Sequence, residues 1–279
     1  MNWFKILSVF IVLLGFALSL GFLLGVVFQV PYGNIAVVKV YGEITTGSQL
    51  LSNAVDAQAV VDQLREVNAN PLIEAVIIDI NSGGGSSVAS SEIVDAVKKL
   101  NKPSVALIRE VGASGAYWVA SAADYIIAHN LSLIGSLGVN MQYLEYSGLL
   151  ERFNVSYVNL TYPRHKDILS QYRPLTELER DWVNEWLEEA YNYLVSDVAS
   201  NLNLTKEELM PYANGSVFLG SQSVSYGLID ETGGWDKALN KTMELANITE
   251  PMTITYREEH NLLELINGLT GGKDISIKT

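Results

Sequence analysis

Leu72-Ile-Glu-Ala-Val-Ile-Ile-Asp-Ile80 runs into Asn81-Ser-Gly-Gly-Gly85, and Ser104-Val-Ala-Leu-Ile108 leads shortly into Gly112-Ala-Ser-Gly-Ala116. Each is a short apolar run ending in a glycine-rich turn, the pattern of a buried strand. Between them, residues from about Ser86 to Leu100 read as a helix. After the second turn a helix of small residues ends near Ala123, and Tyr125-Ile-Ile-Ala128 is a further short strand. Upstream, Ile35-Ala-Val-Val-Lys-Val-Tyr41 is β-rich, and Asp56 to Val67 carries apolar residues at helical spacing. Repeated strand–helix alternation predicts an α/β fold, a parallel sheet with helices on both faces.

The longest helix is predicted to start near Thr176, where Thr176 and Glu179 form a capping box just after Pro174. Leu178, Trp182, Trp186, Ala190, Leu194 and Val198 then make one apolar stripe, suited to a core or a subunit interface. Thr205 and Glu208 suggest a second capped helix, and the tail from Gly271 is expected to be loose.

The 279-residue chain carries a net charge of −13 with a pI near 4.6. An acidic surface repels phosphate backbones, so nucleic acid is not an expected partner. There is no cysteine, which excludes disulfides, a thiol nucleophile and Cys-ligated metal. His129, His165 and His260 lie far apart, without metal-ligand spacing.

From Ile6 to Val30 the chain is almost wholly apolar and runs into Gln29-Val-Pro-Tyr32 without a good cleavage site. About 20 such residues span a bilayer, so residues 1–30 are expected to be a retained anchor and residues 31–279 one domain. Lys5 and the amino terminus weakly place the N-terminus in the cytoplasm and the domain outside. Seven Asn-x-Ser/Thr sequons, at Asn130, Asn154, Asn159, Asn203, Asn214, Asn240 and Asn247, all follow the anchor. Chance predicts roughly two or three, so the excess agrees with an outside placement.

Two turns carry chemistry. Ile80-Asn-Ser-Gly-Gly-Gly-Ser86 joins a strand to a helix, and its glycines can present backbone N–H groups to an anion. It lacks the Gly-Lys-Ser/Thr of a phosphate loop, so an oxyanion site is the better use. Gly112-Ala-Ser-Gly-Ala116 nearly matches a nucleophile elbow, with Ala116 where the last glycine belongs. The histidines after Ser114 have no convincing surroundings for a Ser-His-Asp triad. Lys166, in Pro163-Arg-His-Lys-Asp-Ile168, is an alternative base.

Asn81-Ser-Gly-Gly-Gly85, Ala113-Ser-Gly-Ala-Tyr-Trp-Val-Ala120, Ala123-Asp-Tyr-Ile-Ile-Ala128 and Gly135-Ser-Leu-Gly-Val139 together resemble the signal peptide peptidase A family. Arg164-His-Lys-Asp-Ile-Leu-Ser-Gln-Tyr-Arg-Pro-Leu-Thr176 and Val217-Phe-Leu-Gly-Ser-Gln-Ser-Val-Ser-Tyr-Gly-Leu-Ile-Asp230 resemble its later motifs, so the likeness runs from about Ile35 to Ala246. The resemblance implies a Clp protease/crotonase-like parallel sheet flanked by helices, preceded by one N-terminal transmembrane helix. It implies a membrane-anchored serine endopeptidase with a Ser-Lys dyad, acting on remnant signal peptides and other hydrophobic peptides. Ser114 matches the nucleophile, Lys166 the general base, and Gly84 and Gly115 the oxyanion donors. No metal, nucleotide or other cofactor is implied. The partners implied are peptide substrates, membrane lipid through the anchor, and further copies of the chain in a ring or dome whose sites are shared between neighbours. Two residues depart from the family pattern. Gly83 replaces a proline, which loosens the glycine loop, and Ala116 replaces a glycine, which is expected to narrow the adjoining pocket.

A free lysine has a pKa near 10.4, whereas a general base works best nearer 7–8, so Lys166 is expected to be desolvated. The competing readings are a membrane protease acting on stomatin-like proteins, a crotonase-type acyl-CoA enzyme, and a glycosylated surface protein with a dead site.

Overall fold

A computed structural model describes residues 33–47 and 54–256. The anchor expected over residues 1–30 and the tail from Gly271 lie outside these. Among the described residues no helix is long and apolar enough to cross a membrane.

The elements follow in the order β1 (Ile35–Tyr41), β2 (Glu43–Thr45), β3 (Ala54–Asp56), α1 (Ala57–Ala69), β4 (Ala75–Ser82), α2 (Ser87–Lys98), β5 (Ser104–Ala113), α3 (Gly115–Ser121), β6 (Tyr125–Ala128) and β7 (Leu133–Gly135). Then come α4 (Ser147–Arg152), α5 (Glu177–Asn201), α6 (Lys206–Leu209), β8 (Val217–Leu219), α7 (Gly220–Ser223), β9 (Glu231–Thr232), α8 (Trp235–Ala246) and β10 (Thr253–Tyr256). The main sheet runs β10-β1-β4-β5-β6-β9, parallel throughout. β7 continues beside the far end of β5, and β8 pairs antiparallel with it.

The central strands are apolar on both faces because both faces are covered. Val76, Ile78 and Ile80 of β4 pack into the larger core with Val60, Leu64 and Val67 of α1 and Ile93, Val94 and Val97 of α2. Ala75 and Ile77 point the other way, into a smaller core closed by α8 through Ala238. The predicted strand–helix order is therefore observed. Asp56 and Ser86 cap α1 and α2 through their side chains, and the Thr176–Glu179 and Thr205–Glu208 capping boxes are both formed.

Three expectations shift. The strand predicted from Leu72 begins at Ala75, since Leu72 is exposed. β5 extends past Ile108 to Ala113, carrying half-buried Arg109. The α5 stripe is core only in its last turns: Leu194 and Val198 are buried, but Leu178 is 50% and Trp186 45% exposed. That helix leaves the body of the molecule, and not one residue from Gly138 to Leu178 is buried.

Candidate active site

β5 ends at Ala113, and the chain reverses through Ser114 into α3. Ser114 has φ 53° and ψ −127°, a conformation that costs a non-glycine residue about 1–3 kcal/mol. Its surroundings hold it there. Its N–H donates to the Gly135 carbonyl at 2.8 Å, and its own carbonyl accepts from Trp118 N–H at 3.0 Å. The side chain caps nothing and is partly exposed in a cleft of about 440 Å³.

The glycine loop lies against this turn. A Cβ on Gly84 would stand 2.8 Å from both Gly115 N and Ser114 Cβ, and Gly84 has φ +97°. Only glycine permits that approach. A Cβ on Gly115 would collide with Ser90 Oγ of α2. The loop is pinned despite lacking proline at Gly83: Ile44 N–H donates to Gly84 O at 2.9 Å, Ser86 N–H to Ile44 O at 2.8 Å, and Gly84 N–H to Ser82 Oγ at 3.1 Å. The last bond bears on the predicted oxyanion donors, because it engages the N–H of Gly84. The N–H groups of Gly85 and Gly115 donate to no acceptor among the described residues. Ala116 does not narrow the cleft as expected: it is wholly buried in the larger core and its methyl faces inward.

The cleft opens between two helices. Ser87, Val88, Ser91 and Glu92 present one face of α2; Trp186, Glu189, Ala190, Tyr193 and Leu194 present one face of α5; Ser114, Gly115 and Trp118 form the floor. Asp197 ties the three helices together, accepting from Lys98 Nζ at 2.6 Å and Trp118 Nε1 at 2.7 Å. The Trp118 and Tyr193 rings meet edge to face, centroids 5.8 Å apart. None of the residues on the two walls was visible as a site residue in the sequence; Trp186, Ala190 and Leu194 were expected to serve a core or a subunit interface. On α2 the signal was a run at i, i+1, i+4, i+5 spacing, polar but for Val88, opposite the buried face.

Lys166 is not brought to Ser114 within one chain. It does not line the cleft, and it is exposed rather than desolvated. It lies on a turn whose neighbours are tightly held. Arg173 bonds Asp167 through Nε and Nη2, both at 2.8 Å, and reaches Glu179 through Nη1 and Nη2, both at 2.8 Å. Asn159 Nδ2 adds a bond to Asp167 at 2.7 Å, and His165 Nδ1 lies 3.0 Å from Glu179 Oε1. The Arg173 guanidinium, helped by Asn159, holds the Asp167 carboxyl down to about 2, and Arg173, helped by His165 and Thr176, holds Glu179 well below the usual carboxylate range. The charge of Asp167, next to Lys166 in the chain, is thereby committed to Arg173.

Residues 96–249 match the model of peptidase family S49, more than half of the chain. The chain belongs to peptidase family S49. The match takes in Ser114 and Lys166 and begins after the glycine loop. A putative protease of Methanocaldococcus jannaschii is 32% identical over 74% of this chain and 67% of its own length. Protease 4 of Haemophilus influenzae is 31% identical over 79% of this chain and 36% of its length. A putative signal peptide peptidase SppA of Enterococcus faecium is 29% identical over 72% and 60%. The chain thus spans about a third of the Haemophilus protein and under two thirds of the Enterococcus one. Family membership makes it a serine-type peptidase.

Proposed function

We propose that this chain is a membrane-anchored endopeptidase of the signal peptide peptidase type, cutting hydrophobic peptides, with Ser114 as nucleophile and Lys166 as general base. The observation that carries the reading is the strained turn at Ser114: a hydroxyl on a positive-φ residue, in an open cleft, against a glycine loop with an uncommitted N–H.

In the proposed reaction Lys166, neutral, takes the Ser114 proton as Oγ attacks the scissile carbonyl. The oxyanion settles on Gly115 N–H and on the glycine loop. On that loop Gly85 N–H is the better donor, because Gly84 N–H must first leave Ser82 Oγ, at about 1 kcal/mol. Lys166 then protonates the leaving amine, and water hydrolyses the acyl-enzyme.

The base is supplied by a neighbouring copy of the chain. Lys166 stands exposed on a segment that also shows solvent Leu144, Phe153, Val158, Leu160 and Tyr162, an apolar surface that asks for a partner. Docking of this segment on the next protomer would bury Lys166 beside Ser114, away from the water that it meets in the single chain. Anchorage by residues 1–30, with the domain outside the cell, and a ring or dome assembly belong to the same reading.

Mixing tests it. Ser114→Ala and Lys166→Ala proteins should each lose at least about a thousandfold in peptide cleavage, and mixed assemblies should recover part of it. Full activity in either variant would overturn the dyad, and inactive mixtures would overturn the shared site.

A further inference from the structure

The chemistry at Ser114 leaves two groups in its cleft unused. Glu92 lies on the α2 wall and Glu189 on the α5 wall. Both are exposed, and neither carboxylate forms an ion pair or side-chain hydrogen bond among the described residues. Of the cations nearby, Lys98 is committed to Asp197 and Arg65 to Asp62, while Lys99 borders with Glu92 a neighbouring shallow groove and does not line the cleft. Between the carboxylates the cleft is apolar and aromatic, walled by Val88, Trp118, Trp186, Ala190, Tyr193 and Leu194.

We infer that the Ser114 cleft selects a substrate residue with a long apolar stem and a cationic head, lysine or arginine, seated beside the scissile carbonyl, with Glu92 and Glu189 as its recognition residues. The inference rests on Ser114 being the nucleophile, since that fixes which substrate residue enters the cleft. Lysine and arginine lay their methylenes along apolar walls while keeping the charge at the rim. Here the rim offers two carboxylates from opposite sides, and indole and phenol faces attract a cation that approaches them. An acidic side chain would meet like charge on both walls, within a molecule of net charge −13. A neutral apolar residue fits the walls but leaves the carboxylates without partners.

Three peptides alike except for lysine, norleucine or glutamate at the residue giving the scissile carbonyl test this. Norleucine keeps the stem and removes the charge. The full chain should favour lysine over norleucine in kcat/KM by about fivefold at low salt and cut the glutamate peptide least. In the Glu92→Gln/Glu189→Gln double variant the lysine-to-norleucine ratio should fall to about one. An unchanged ratio overturns the inference whatever happens to the absolute rates; it would make the glutamates partners of Lys166 or of the fold. Binding of the same peptides to the Ser114→Ala protein, read by tryptophan fluorescence, needs no turnover, and equal affinity for lysine and norleucine there overturns the inference by itself. A wild-type chain that binds the lysine peptide preferentially but cuts none of the three would sink the peptidase reading and leave the recognition standing.

Discussion

Ser114 and the glycines beside it illustrate how a site is stored in backbone geometry. Serine at φ 53°, ψ −127° is unfavourable, and the strain is retained where a hydroxyl must stand clear of the chain. Ser114→Gly should therefore be more stable than wild type by about 1 kcal/mol, the strain relieved less the extra freedom of the unfolded glycine. Chemical denaturation would check this, and a Ser114→Gly protein less stable than wild type would contradict the strain. Gly84→Ala, by contrast, places a methyl 2.8 Å from Gly115 N at φ +97°. It should cost about 1–3 kcal/mol and lower kcat by about a hundredfold. Gly83 has open space around it, so Gly83→Ala should stay within about 0.5 kcal/mol of wild type. The sequence disclosed that these residues are glycines beside a serine. It could not disclose that the Ser82 hydroxyl engages Gly84 N–H and leaves Gly85 free, because that is a matter of loop conformation.

Among the elements, the periodic ones were legible before the structure and the irregular ones were not. β1, β4, β5 and β6 announced themselves as apolar runs, and α1, α2 and α5 through spacing and caps. β7 and β8 are three residues each, too short to show a period. The α5 stripe misled for another reason: spacing shows which residues share a face, not what covers it. The three-way tie at Asp197 holds the cleft walls in place. Asp197→Ala should cost about 2 kcal/mol and lower Tm by roughly 5 °C. Most of that comes from the Trp118 indole N–H, left without its acceptor beside a ring only 3% exposed. The half-exposed Lys98 pair adds little. A Tm unchanged by the substitution would show that the tie is incidental.

At the scale of the molecule, the contrast is between a well-covered α/β body and the exposed segment from Gly138 to Leu178. The segment owes its internal order to charge. Asp167 and Glu179 have folded pKa values below their unfolded ones, near 3.9 and 4.3. Their contribution is thus complete above about pH 5 and is lost as pH falls through about 4 toward 2, since the unfolded chain takes up the protons more readily there. Backbone amides from Asn159 to Glu179 should exchange faster between pH 4 and 2 than expected from intrinsic rates, while those of β4 and β5 stay protected. Uniform behaviour of both regions would contradict the charge-held segment. The family could be read from ordered motifs in the chain. Lys166's partner could not: under the proposed shared site it lies on another copy, whose position no single sequence specifies.

The central claim is that Ser114 is an activated nucleophile, and covalent labelling addresses it most directly. The full-length assembled protein, treated with a fluorophosphonate and digested for mass spectrometry, should carry one adduct, on the peptide containing Ser114. The adduct should disappear in Ser114→Ala and form far more slowly in Lys166→Ala. A protein that cleaves peptides while Ser114 stays unlabelled, or that labels Ser114 equally well without Lys166, would contradict the account.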